Sequence, residues 1–147
     1  MKTSWRTISI VLGVTWAASL ALPVATFGDG QGELWYGWTM LLFGWLGLFL
    51  GQFAWAANFL LGTCLILLAR GRPPLVWGLM IGALTSLLAV HALSWTHVVQ
   101  SGGGLAPVLA YWSGYYLWVL VTFAGGAALC VACVREMQRP RALQRTI

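Results

Sequence analysis

Every charged residue in this chain stands at the edge of a long apolar run, and none stands inside one. Of 147 residues only 11 carry charge, eight Lys or Arg and three Asp or Glu. A soluble domain of this size would carry charge on about a quarter of its residues. Eleven charged side chains cannot cover the surface of a water-soluble globule. They suffice for a chain whose exterior meets lipid, where exposed side chains should be apolar. Apolar residues make up 60% of the sequence, with ten tryptophans, a residue that favours the membrane–water interface.

The net charge of +5 does not point to nucleic acid. Lys2, Arg6, Arg70, Arg72, Arg135, Arg139, Arg141 and Arg145 flank apolar runs and form no basic stripe interleaved with aromatics. They read as topology signals. Lys2 and Arg6 precede an apolar stretch from Thr7 to about Phe27, longer than the roughly 7–15 residues of a signal-peptide core. It reads as a first span. Gly28 to Glu33, with Asp29 and Glu33, marks the far side of the membrane.

The uncharged stretch from Leu34 to Ala69 exceeds the roughly 20 residues one perpendicular crossing needs. Two crossings would place Arg70 and Arg72 opposite Lys2 and Arg6, against the positive-inside bias. The charge pattern therefore predicts one crossing near residues 53–69, and residues 34–51 as an interfacial, re-entrant or extended helix at the outer face. Arg70-Gly71-Arg72-Pro73-Pro74 makes an inner turn. Spans follow at about 75–93 and 114–134, joined by a glycine-containing loop from Ser94 to Ser113. The expected fold is all-α, a single membrane domain over residues 1–147. It is a polytopic helical bundle of four transmembrane helices, about 7–27, 53–69, 75–93 and 114–134, plus the outer-face helix.

Small residues are the leading packing signal. Gly78 and Gly82 form a GxxxG pair, as do Gly47 and Gly51, while Gly37, Gly44 and Gly51 recur at intervals of seven and predict one helical stripe. These positions read either as packing within the chain or as an interface with a second copy or a membrane-protein partner. Gln52 and Asn58 are amides at membrane depth. Each needs a hydrogen-bond partner on a neighbouring helix, such as Thr15, Thr85 or Ser86; with His91 they could instead line a polar pocket. No Asp, Glu, Lys or Arg falls inside a span, which argues against a proton-coupled pump. His91 and His97, six apart, do not share a helical face, and with Asp29 and Glu33 they make only a motif-free cluster.

Cys130 and Cys133 sit at the inner, C-terminal end of a helix. The dipole there opposes a thiolate, the reverse of a redox CxxC. With Cys64 they read as small packing residues. No metal or cofactor is expected, and no catalytic set emerges.

Two stretches, Tyr36-Gly37-Trp38 through Gly44-Trp45-Leu46-Gly47 to Ala54-Trp55-Ala56-Ala57-Asn58, and Gly114-Tyr115-Tyr116-Leu117-Trp118, resemble a group of small bacterial inner-membrane proteins. The resemblance covers about half of the chain and implies four spans in that membrane; the charge pattern, separately, predicts both termini on the cytoplasmic side. The acidic outer loop of that group is replaced here by Gln100-Ser101-Gly102-Gly103-Gly104. The resemblance implies no activity. The expected function is a non-enzymatic accessory or immunity-type module, embedded in the lipid bilayer and acting through helix packing. The alternatives are a small channel or carrier for an uncharged or lipid-like solute, and an outer-face membrane enzyme.

Overall fold

The computed structural model describes residues 4–28, 32–71, 73–99 and 104–138. Lys2, Asp29, Arg72, Gly102, Gly103 and the tail from Arg139 lie outside them. The described chain is mostly helical. Helix α1 is Trp5–Ala21, α2 Gly37–Phe43, α3 Ala57–Arg70, α4 Leu75–His91 and α5 Ser113–Met137, with 3₁₀ turns at Gly44–Leu50, Phe53–Ala56 and Ala92–Ser94. Three continuous helical stretches, Phe53–Arg70, Leu75–Ser94 and Ser113–Met137, are long and apolar enough to cross a membrane. Their outward side chains are apolar too: Phe59, Trp77 and Leu87 are each about two-thirds exposed.

The expectation of an all-α fold is corrected. Strands β1 Pro23–Phe27, β2 Glu33–Tyr36, β3 His97–Val99 and β4 Leu105–Tyr111 form one antiparallel sheet in the order β2-β1-β4-β3. The first apolar run is therefore not one helix from 7 to 27. Pro23 forces the preceding residue out of the helical region, and Leu22 is extended at ψ 153°. Helix α1 stops at Ala21, and Val24, Thr26 and Phe27, residues that suit a pleated surface, continue as β1. Its 17 residues rise about 26 Å, a little short of the roughly 30 Å hydrocarbon core.

The stretch 94–113, expected as a loop, contributes β3 and β4. Pro107 sits within β4 although it has no N–H to donate. The register against β1 shifts beside it, where consecutive Phe27 and Thr26 face Val108 and Ala110 and leave Leu109 as an extra residue in β4, the kind of irregularity at which a proline persists inside a sheet. Residues 34–51 are also not one helix. They divide into the end of β2, the short α2, and a 3₁₀ turn closed by Gly51. The heptad spacing of Gly37, Gly44 and Gly51 thus forms no stripe.

α1, α3, α4 and α5 pack side by side. The sheet joins the C-terminal end of α1, the C-terminal end of α4 and the N-terminal end of α5. Arg6, Arg70 and Arg135 lie at the opposite end, where the Arg135 guanidinium stands 5.4 Å from the Trp5 ring centroid. Toward that end the bundle is filled by Cys64, Leu68, Leu129, Ala132 and Cys133. Under the sheet a second core forms from Val24, Ala25, Phe27, Ala106 and Tyr115.

Close approach of α4 to α5 needs Gly78 and Gly82. A Cβ on Gly82 would stand 2.7 Å from both the Gly126 carbonyl oxygen and Cys130 Sγ, and one on Gly78 would strike Cys133 Sγ. Backbone cannot retreat as a flexible side chain can. Gly82→Ala should therefore destabilise the bundle by about 1–3 kcal/mol, the usual scale of overpacking. Gly62→Ala, where a Cβ meets nothing within 4 Å, should cost nothing. Unfolding titrations in detergent compare the two variants, and equal stability would contradict this packing.

Candidate functional site

One amide ties three helices together. Asn58, in the first turn of α3, accepts at its Oδ1 from Trp16 Nε1 on α1 at 3.1 Å and from Trp118 Nε1 on α5 at 2.9 Å. An indole N–H can only donate, so two of them converging on one atom identify that atom as the carboxamide oxygen. The amide nitrogen donates back to the Trp55 carbonyl at 3.0 Å. Asn58 thus bonds tryptophans rather than Thr15, Thr85 or Ser86. Thr15 donates to Val11 O, Thr85 to Ile81 O and Ser86 to Phe123 O.

Above this node, between it and the sheet, lies a cavity of about 110 Å³. Its walls come from α2 and the two 3₁₀ turns on one side and from the sheet and α5 on the other, with Trp35, Trp55, Trp95, Tyr115, Trp118 and Met40 among the lining side chains. No charged side chain is among its lining residues. Most polar groups in the wall are already engaged. Trp55 Nε1 donates to Leu41 O at 2.9 Å, Trp95 Nε1 to His97 O at 2.8 Å, Tyr115 OH to Ala92 O at 2.8 Å and Ser19 Oγ to Trp16 O at 2.6 Å. Gln52 differs. Its Oε1 is buried and has no hydrogen-bond partner among the described residues.

The chain builds these walls by local means. Gly51 adopts φ 73°, a left-handed conformation that favours glycine, and this reverses the chain so that Gln52 N bonds Gly47 O at 2.9 Å. Gly44 leaves room for the Trp55 ring, whose Cδ1 would stand 2.7 Å from a Cβ there. Gly37 lets α2 start against the end of α1, where a Cβ would stand 2.7 Å from Leu20 Cα. Gly47 is less constrained, its nearest neighbour being Gln52 Cβ at 3.2 Å.

Gln52 and Asn58 therefore share one cavity, and His91 does not join them. His91 Nε2 donates to Gly51 O at 3.2 Å, and its ring stacks on Phe53 with centroids 6.4 Å apart. It braces the Gly51 turn from outside. His97 takes a place on the cavity wall instead, with its Nδ1 2.9 Å from Thr96 Oγ1. At the sheet, Tyr111 stacks on Tyr115 at 4.5 Å and donates its hydroxyl to Trp95 O. Burial, reinforced by nearby Tyr116, pushes the Tyr111 phenol above its ordinary pKa, so it stays a neutral donor. Among the described residues no three His, Cys, Asp or Glu side chains are placed to hold a metal ion.

That Trp16 and Trp118 meet at one acceptor was not legible in the sequence. A signal did exist: an indole in mid-run has an N–H that must find an acceptor, and Asn58 is the nearby amide able to take two. No family model, curated protein or solved structure matches the chain.

Removing the shared acceptor strands two indole donors. Asn58→Leu should destabilise the protein by about 1–3 kcal/mol. The same unfolding titration checks this, and an unchanged midpoint would show that the node contributes nothing.

Proposed function

We propose that this chain is a four-crossing inner-membrane binding protein that holds a small, uncharged, membrane-soluble molecule under its sheet. The observation that carries the reading is the aromatic cavity, which has no charged lining residue and one buried, unpartnered amide oxygen. Ligand sites are typically concave and mostly apolar, with a few placed polar groups. A channel is favoured less, because the bundle below Asn58 is filled by the packed cluster of Cys64, Leu68, Leu129, Ala132 and Cys133. A module acting through glycine-stripe contacts with a partner is also favoured less. Gly78 and Gly82 are taken up against α5, and Gly37 and Gly44 against α1 and Trp55.

Four crossings are supported by connectivity. α1 runs beside α3 and α5 from the arginine end to the sheet, so it would traverse the same thickness as they do. Arg6, Arg70 and Arg135 at one end and Glu33 at the other support, through the positive-inside bias, a reading with both termini in the cytoplasm and the sheet outside.

Two experiments test this. In a cysteine-free background, a membrane-impermeant maleimide applied to intact spheroplasts should label Glu33→Cys, and should label Ser4→Cys only after permeabilisation. Labelling of both from one side would remove the first crossing. In nanodiscs, bromobenzene should quench tryptophan fluorescence with a saturable component that disappears in Ala54→Phe, which fills the cavity. Identical, non-saturating quenching in both proteins would reject the binding reading.

A further inference from the structure

We propose that Gln52 makes the cavity selective for a neutral ring alcohol, of the phenol class, over a hydrocarbon of the same size. This rests on the binding reading above and names the class of molecule it would hold.

Size sets the first limit. About 110 Å³ suits a single six-membered ring, since a roughly 150 Å³ apolar cavity takes benzene. Wall chemistry sets the second. Trp35, Trp55, Trp95 and Tyr115 surround the space, and aromatic faces and edges pack favourably on a flat ring. With no charged lining residue, an ionised ligand would lose its hydration without compensation.

The third limit comes from the wall's hydrogen-bond accounting. The indoles of Trp55, Trp95 and Trp118, the Tyr115 hydroxyl and the Asn58 amide are all engaged with protein partners. Gln52 Oε1 is the one buried atom of the lining left without a partner among the described residues. A buried acceptor in that condition penalises any occupant that cannot answer it. Gln52 lines the cavity, and a hydroxyl answers the oxygen by donating once a turn of the side chain brings it to the cavity face. The hydroxyl also accepts, so it would serve equally if the carboxamide turned its NH₂ toward the ring. A methyl group of the same size does neither. His97 adds a second polar edge, because it and Gln52 both line the adjoining depression with Thr96 and Leu105. That places the hydroxyl-reading side of the cavity toward β3.

The test uses the whole chain in nanodiscs, with phenol and its isostere toluene as probes. Binding is read as displacement of the saturable bromobenzene quench and corrected for each probe's partition into protein-free discs. Wild type should bind phenol at least about tenfold more tightly than toluene, the ratio equivalent to one hydrogen bond made or missed. In Gln52→Met, which keeps length and volume, phenol affinity should fall about tenfold and the ratio should approach one. A wild-type ratio near one, or a ratio that Gln52→Met leaves intact, overturns the assignment while leaving ligand binding in place. Failure of both probes to displace bromobenzene overturns it as well. Absence of any saturable quench removes the binding reading beneath it. Should Gln52→Met not fold, the wild-type ratio alone decides.

Discussion

Asn58 Oδ1 receives two indole N–H groups from different helices, and the remaining packing at the sheet end is arranged around that meeting. In surroundings this apolar an unmatched indole or amide is costly, so Trp16 and Trp118 each depend on Asn58. The consequence is geometric. Fixing Trp16 to Asn58 sets how far α1 rises along α3. Fixing Trp118 sets the same for α5. Both helices then deliver their strands, β1 and β4, to one level, where Ala25 pairs with Tyr111. The sheet can close because the helices beneath it are already in register.

Closure of the sheet creates the cavity. The node forms a floor, the strands form a roof, and the α2 and 3₁₀ segments form a side wall that the chain bends into place at Gly51. Bulky aromatics make that enclosure, and rings of this size rarely fill space without gaps when several converge. Toward the arginine end the opposite regime holds. Gly82 and Gly126 bring backbones together, Gly78 and Gly125 make room for Cys133 and Leu61, and small thiols and leucines fill what is left. One half of the bundle is packed for density and the other for enclosure. That division is why the proposed binding site is put at the sheet end.

Much of the helical part was legible in the sequence. Uncharged runs bounded by arginines marked the three longest apolar helices to within a few residues, because exclusion of charge from a span is a strong local constraint. The sheet was not legible, for a physical reason. Its strands are three to seven residues long, too short for a periodic pattern to announce them, and the pairing that joins the two hairpins, Phe27 with Val108, links distant segments. Pro23 offered the clearest local warning that the first helix ends early. Within the site, Gln52 and Asn58 were recognisable as amides out of place. Their roles were not, since a cavity and a two-donor node arise only when several elements meet. The heptad of Gly37, Gly44 and Gly51 misled because spacing implies a stripe only on a continuous helix, and these three serve a helix start, a ring contact and a left-handed turn.

The most direct measurement of the central interaction is the indole N–H spectrum of the selectively ¹⁵N-tryptophan-labelled protein in nanodiscs, with Trp16 and Trp118 assigned by Phe substitution. Both resonances should show hydrogen-bonded shifts and slow solvent exchange, and both should move together in Asn58→Ala. The Trp77 resonance, from an exposed ring on α4 far from the node, should stay in place. Movement of only one of the pair, or of neither, would contradict a shared acceptor and with it the register on which the sheet and cavity depend.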